Sequence, residues 1–212
     1  MNPLDADLVR QVNWAIGKNV EFCKSGEPFT ALEQIQGLRQ DFKNHISWMT
    51  KLGNLGDIFS KFAVPNYLVR VLNPLSQSIR LGFLTGRIPE CFLEIRALIE
   101  QLARSFQADL RFPKEKLFTG KLARVDAQES MLMNLVEHMD GQAADFLTEL
   151  DNGWVDTDES LTGPGGAAGT SAGPTPYTSQ DLPKVLQLTD SVKKFRELLS
   201  RTMEKWKANL DK

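Results

Sequence analysis

Apolar residues return every three or four positions along most of this chain, the period of one face of an α-helix. Leu4, Leu8, Val12, Ile16, Val20 and Cys23 form the first stripe, opened by Asn2 and Pro3 as N-cap and first turn and closed by Ser25 and Gly26. After Glu27 and Pro28, the residues Leu32, Ile35, Leu38, Phe42, Ile46, Met49 and Leu52 keep the same spacing and predict a second long helix. Residues 53–65 mix Gly53, Asn54 and Gly56 with Leu55, Ile58, Phe59, Phe62 and Val64. That is too apolar for a solvated linker and predicts a short helix tucked against the core. Residues 66–85 continue helically, with a kink or restart at Asn73, which caps, and Pro74, which takes the first position. At Gly86-Arg87-Ile88-Pro89-Glu90 the chain turns tightly. Gly86 can take the left-handed conformation that ends a helix, and Pro89 has no amide hydrogen to lose in the first turn of the next. Phe92, Ile95, Ile99, Leu102 and Phe106 line the second arm of that hairpin.

Arg111, Phe112 and Pro113 break the pattern, and residues 114–121 read as a basic connector anchored by Phe118. Asp126 then caps a further helix with the stripe Leu132, Leu135, Met139, Ala143, Phe146 and Leu150; Gly141 is its weak point and Asn152-Gly153 its stop. From 151 to 178 the composition changes to an acidic lead, with Asp151, Asp156, Asp158 and Glu159, followed by a Gly/Pro-rich run over 163–176. Such a stretch cannot bury enough apolar surface to offset about 1–2 kcal/mol per residue of backbone ordering, so it predicts a flexible tether. Beyond it, Ser179 or Asp181 caps and Pro183 starts a last long helix. Its seam, Val185, Leu188, Val192, Phe195, Leu199, Thr202 and Trp206, holds a 3,4 spacing. No segment alternates with the period of a strand. The chain therefore reads as all-α: a multi-helix bundle of antiparallel hairpins over 1–150, a tether over 151–178, and a C-terminal amphipathic helix over 179–212 that packs on the bundle or on a partner chain.

Charge and cysteine content narrow the function classes. Against 27 acidic residues stand 25 basic ones, a formal net charge of −2, so no global field draws the protein to nucleic acid or an anionic membrane, and any such contact must be local. Cys23 and Cys91 lie far apart without a CxxC or Cys/His cluster, which predicts two buried, reduced thiols and neither a disulfide scaffold nor a zinc site. The start lacks the basic-then-apolar layout of a secretory signal, and no apolar run approaches the roughly 20 residues that span a bilayer. The expectation is a cytoplasmic protein with no membrane contact and no cofactor.

The sequence carries no phosphate-loop, dinucleotide, zinc-protease or serine-hydrolase motif. Asp126 with Glu129 and Glu137 with Asp140 are acidic pairs three residues apart. They resemble the magnesium-binding turns of all-α nucleotide pyrophosphohydrolases, but with no second helix to oppose them they read as a solvated acidic face. Arg39 and His45 give an Arg-x5-His spacing that resembles the Arg-x(4 to 6)-His element of HEPN-type RNases. The helical hairpin around residues 66–110, with Leu93-Glu94-Ile95-Arg96-Ala97-Leu98-Ile99-Glu100 similar to the inner helix of that family, adds to the likeness. The resemblance implies metal-independent RNA cleavage, with His45 moving the proton at the 2′-hydroxyl and Arg39 stabilising phosphate charge.

Two further sets point to binding. Trp154, in the acidic lead, and Val192, Phe195, Leu199 and Trp206, on the last helix, form a candidate partner-binding set that implies a protein partner or homo-oligomer. Arg111, Lys114, Lys116, Lys121 and Arg124, interleaved with Phe112 and Phe118, form a candidate nucleic-acid patch. The leading expectation is a helical protein-interaction or assembly module without catalysis of its own, the alternative a HEPN-like RNase or RNA-binding protein using Arg39 and His45.

Overall fold

The computed structural model describes the backbone of residues 3–128, 132–161 and 174–210, and side chains over 6–128, 132–151 and 174–210. Among the described residues there is no strand, and no helix is long and apolar enough to cross a membrane. The helices are α1 (Pro3–Lys24), α2 (Phe29–Met49), α3 (Leu55–Lys61), α4 (Ala63–Tyr67), α5 (Asn73–Leu84), α6 (Ile88–Arg111), α7 (Phe118–Gln128), α8 (Leu132–Met139), α9 (Gly141–Leu161) and α10 (Leu182–Leu210).

Helix α6 is the axis of the bundle, touching α4, α5, α7, α8, α9 and α10. Ile95, Ile99 and Leu102 are fully buried on it, and from Ser105 to Asp109 every residue is buried, as expected of a helix enclosed on all sides. Helix α10 lies against α2 and α6, with Val185, Leu188, Val192, Phe195 and Leu199 inside the core. The Phe195 ring stacks on Phe42 at 6.5 Å between centroids. Arg196 explains the glycine in the middle of α2. Its guanidinium lies so close over Gly37 that a Cβ there would sit 2.4 Å from the guanidinium carbon. The group reaches Asp41 Oδ2 at 2.6 Å and donates to Gln34 Oε1 at 2.7 Å. Glycine costs a helix interior about 1 kcal/mol, and this buttress offsets it. The seam of the last helix is thus satisfied within its own chain, and Val192, Phe195 and Leu199 are core residues, not a surface for a partner.

Gly86 takes φ +80°, the left-handed turn its sequence context predicts, and has a second role. A Cβ there would lie 2.1 Å from the Thr175 carbonyl oxygen, because the segment entering α10 crosses directly over the turn. Thr175 N–H donates to Thr85 O at 2.9 Å. Asn19, fully buried on α1, donates to Leu84 O at 3.0 Å and Thr175 O at 3.1 Å and accepts from Tyr177 N–H at 2.6 Å. The Tyr177 hydroxyl donates to Phe83 O, and its ring lies against Phe22 and Phe83. Gly86→Ala combines a left-handed conformation costing about 1–2 kcal/mol with displacement of this crossing segment. We expect about 2–4 kcal/mol of lost stability by urea denaturation, the range of a strained and overpacked site; a change below about 0.5 kcal/mol would mean that the crossing does not hold.

Several boundaries differ from expectation for physical reasons. The acidic lead is not tether: α9 runs through Asn152-Gly153 to Leu161, since glycine is a permitted and not an obligatory stop. Residues 174–178 are fixed by the Asn19 and Thr85 contacts, and 162–173, the rest of the expected tether, lie outside the described residues. The connector at 114–121 becomes helical from Phe118, and the expected long helix beyond it breaks at Asp140, whose carboxylate accepts from Gln142 N–H at 3.1 Å and caps α9. Asp140 is buried and paired with the partly exposed Arg201 and Lys205, so it is no part of a solvated acidic face. Thr178 and Asp181 form a capping box over a 3₁₀ turn that leads into α10, in place of a simple Ser179 or Asp181 cap. Asn73 does not cap; the chain absorbs Pro74 through a π-helical turn, Leu68–Leu72, in which Asn73 N–H reaches Leu68 O. Among the described side chains of α1 the buried ones are Ala15, Asn19 and Cys23, whereas Leu8, on the same face two turns earlier, and Trp14 are exposed. The helix overhangs the bundle at its N-terminal end.

Candidate interaction cleft

Asp109, near the end of α6, organises the most polar point of the core. Its Oδ1 accepts from Ala63 N–H at 2.9 Å and its Oδ2 from Val64 N–H at 3.0 Å, so it supplies the cap that Phe62 cannot give to α4. Lys121, fully buried on α7, donates from Nζ to Oδ1 at 2.9 Å, and Trp206 Nε1 on α10 donates to Oδ2 at 3.0 Å. The Lys121 ammonium also sits 4.8 Å from the Phe62 ring centroid. Phe62 in turn meets the Trp206 indole edge-on at 5.8 Å, and Trp48 meets it at 6.3 Å. One carboxylate thus ties α4, α6, α7 and α10 together.

Against this hub opens a cleft of about 530 Å³, lined by Phe62, Phe106, Leu110, Pro113, Trp206 and Leu210, with Lys61 and Lys114 at its polar edge. Leu110 is 42% exposed although it follows five consecutive buried residues of α6. Asp109 is the only carboxylate of the lining, and each of its oxygens already accepts two bonds. The Asp109 and Lys121 charges cancel, which leaves the cleft with an apolar floor and the two lysines as its charge.

Each residue singled out in the sequence now has a place. Lys121 leaves the nucleic-acid patch outright, because it is buried against Asp109. Arg124 is held by Glu115 at 3.5 Å and lies over Phe112, and Arg111 Nε donates to Gln107 Oε1 at 3.0 Å. Lys114 and Lys116 are exposed, Lys114 at the cleft. Trp206 is buried with its indole N–H spent on Asp109, so it forms the cleft wall and is no free anchor. The Trp154 side chain lies outside the described residues. Lys61, Phe62 and Leu110, which no motif marked, come from separate elements and meet only in the folded chain.

Arg39 and His45 share the continuous helix α2 and do not meet: six residues turn a helix by about 120° net. Arg39 is exposed, whereas His45 faces a polar groove of about 500 Å³ between α2 and α10, lined also by Gln34, Asp41, Asn44, Lys193 and Arg196. Burial, and then Lys207, holds the His45 imidazole below its ordinary pKa, against the opposing pull of Asp41 and Glu204. The groove's Arg196, Asp41 and Gln34 are engaged with one another. Among the described residues no cluster of three metal-ligating side chains occurs.

Both cysteines are buried free thiols. Burial pushes Cys23 up to about 11 and Cys91 well above the usual thiol range, where Glu94 and Glu90 add to it. Native protein at pH 8 is expected to resist a thiol-specific disulfide reagent that titrates both cysteines in guanidinium; rapid native reaction would place a thiol at the surface.

No family model matches the chain, and the comparisons with curated proteins and with solved structures found no match. Its own geometry carries the functional reading.

Proposed function

We propose that the chain is a helical protein-interaction module, without catalytic activity of its own, that binds its partner through the cleft beside α10. The observation that carries this reading is the apolar floor left open at Leu110 and Leu210, next to a hub that holds four helices rigid. A concave apolar site of a few hundred Å³, fixed by buried hydrogen bonds, costs little further ordering when a partner's side chains enter it. A hydrophobic core with a polar rim is also the usual anatomy of a recognition surface.

Site-specific photocrosslinking tests the reading. A benzophenone amino acid at Leu110 is expected to give one reproducible adduct in the cells that make the protein, either with a partner or with a second copy. The same group at Leu93, equally exposed on α6 but outside the cleft, should give none. Equal labelling at the two positions, or labelling at Leu93 alone, would remove the cleft as the binding surface.

A further inference from the structure

Building on the interaction reading, we infer that the cleft takes an acidic amphipathic peptide segment, one whose apolar side chains seat on Phe62, Phe106 and Leu110 while flanking carboxylates meet Lys61 and Lys114. The charge balance of the lining argues for it. A basic partner would find no acceptor: Asp109 is the sole carboxylate there, and Ala63 N–H, Val64 N–H, Lys121 and Trp206 occupy both its oxygens. An acidic partner finds two ammonium groups at the edge of the apolar floor. The Lys61 ammonium lies 5.0 Å from the Phe62 ring centroid, which sets it beside the apolar floor and not away from it. Lys114 follows Pro113, itself part of the floor, in the turn after α6. The remaining lining residues, Asn209 apart, are apolar, so anchoring and charge recognition are separated in the way amphipathic segments require.

A purely apolar partner would leave the lysines partly desolvated without a counter-charge, which disfavours it. Within the cleft a nucleic acid would meet only the two lysines together with apolar walls, since the exposed Lys116 does not line it. Of the basic residues read as a patch, Lys121 is buried, and Arg124 and Arg111 are engaged with Glu115 and Gln107.

The test is selection of a random peptide library displayed on phage against the immobilised full chain, followed by fluorescence anisotropy with the recovered peptides. The expected binders carry aromatic or leucine anchors flanked by Asp and Glu. Their affinity should fall about tenfold or more in Leu110→Ser and in the double variant Lys61→Glu/Lys114→Glu, and several-fold when ionic strength rises from about 0.05 to 0.5 M. Lys61 and Lys114 are exposed, so the double variant is expected to keep the parent circular dichroism spectrum and thermal midpoint. Lys61→Gln/Lys114→Gln, which removes the charge without reversing it, should fall between parent and double variant. Binders that depend on Leu110 but are neutral or basic would overturn this inference and leave the interaction reading standing. Absence of any Leu110-dependent binder would sink both. Binding of a labelled single-stranded oligouridylate or of phosphatidylserine vesicles that needs Lys61 and Lys114, without acidic peptides being recovered, would also overturn it.

Discussion

Asp109→Ala is expected to destabilise the protein by about 3–5 kcal/mol in equilibrium urea unfolding. The substitution leaves the Lys121 ammonium, fully buried, without its counter-charge, and removal of one partner from a buried pair costs that much. It also strands the Ala63 and Val64 amides at the start of α4 and the Trp206 indole N–H. Adding Lys121→Met should recover part of the loss, because an apolar side chain no longer needs the carboxylate. Recovery should stay incomplete, since the cap of α4 and the acceptor for Trp206 are still gone. A single-variant loss below about 1 kcal/mol would show that water or other groups replace the carboxylate, and the hub would lose its meaning.

Removing the last helix should have the largest effect of all. A chain ending at Leu161 loses the residues that cover Phe42 and the α10 face of α6, together with the Arg196 buttress on α2 and the Arg201 and Lys205 contacts to Asp140. It is expected to keep helical far-UV circular dichroism but to lose a cooperative transition, bind a hydrophobic dye and aggregate at micromolar concentration, the behaviour of a collapsed chain without fixed packing. A cooperative, monomeric, dispersed-spectrum product would mean that α10 is an accessory arm and not part of the core.

Most of the helices, and the hairpin at Gly86, were legible because burial leaves a 3.6-residue period, and a long stripe such as Val185 to Trp206 admits one reading. The polar core was not. Asn19, Asp109 and Lys121 are surface residues by type, yet each occupies a stripe position: Asn19 between Ala15 and Cys23, Asp109 three after Phe106, Lys121 three after Phe118 and four before Val125. A polar residue in register with an apolar stripe was the available signal, and the pairing of acid, base and indole across three helices was beyond any local pattern. The same reason hid the cleft, whose lining comes from α3, α6, the turns beside them and α10. The break at Asp140 was visible only as a weak glycine, because helix continuation and a capped restart share one stripe. The cis packing of α10 could not be read at all, since a seam looks alike whether its partner is on the same chain or another.

The Trp206 indole proton reports most directly on the claim that one buried carboxylate locks α10 to the rest of the bundle and fixes the wall of the cleft. The chain has four tryptophans, so a ¹H–¹⁵N spectrum of uniformly labelled protein resolves their indole signals. In deuterium oxide the Trp206 signal is expected to persist after the exposed Trp14 signal has vanished, exchanging only through global unfolding, and to lose that protection in Asp109→Ala. Exchange of all four indoles within the first minutes, or protection of Trp206 that Asp109→Ala leaves untouched, would contradict the account.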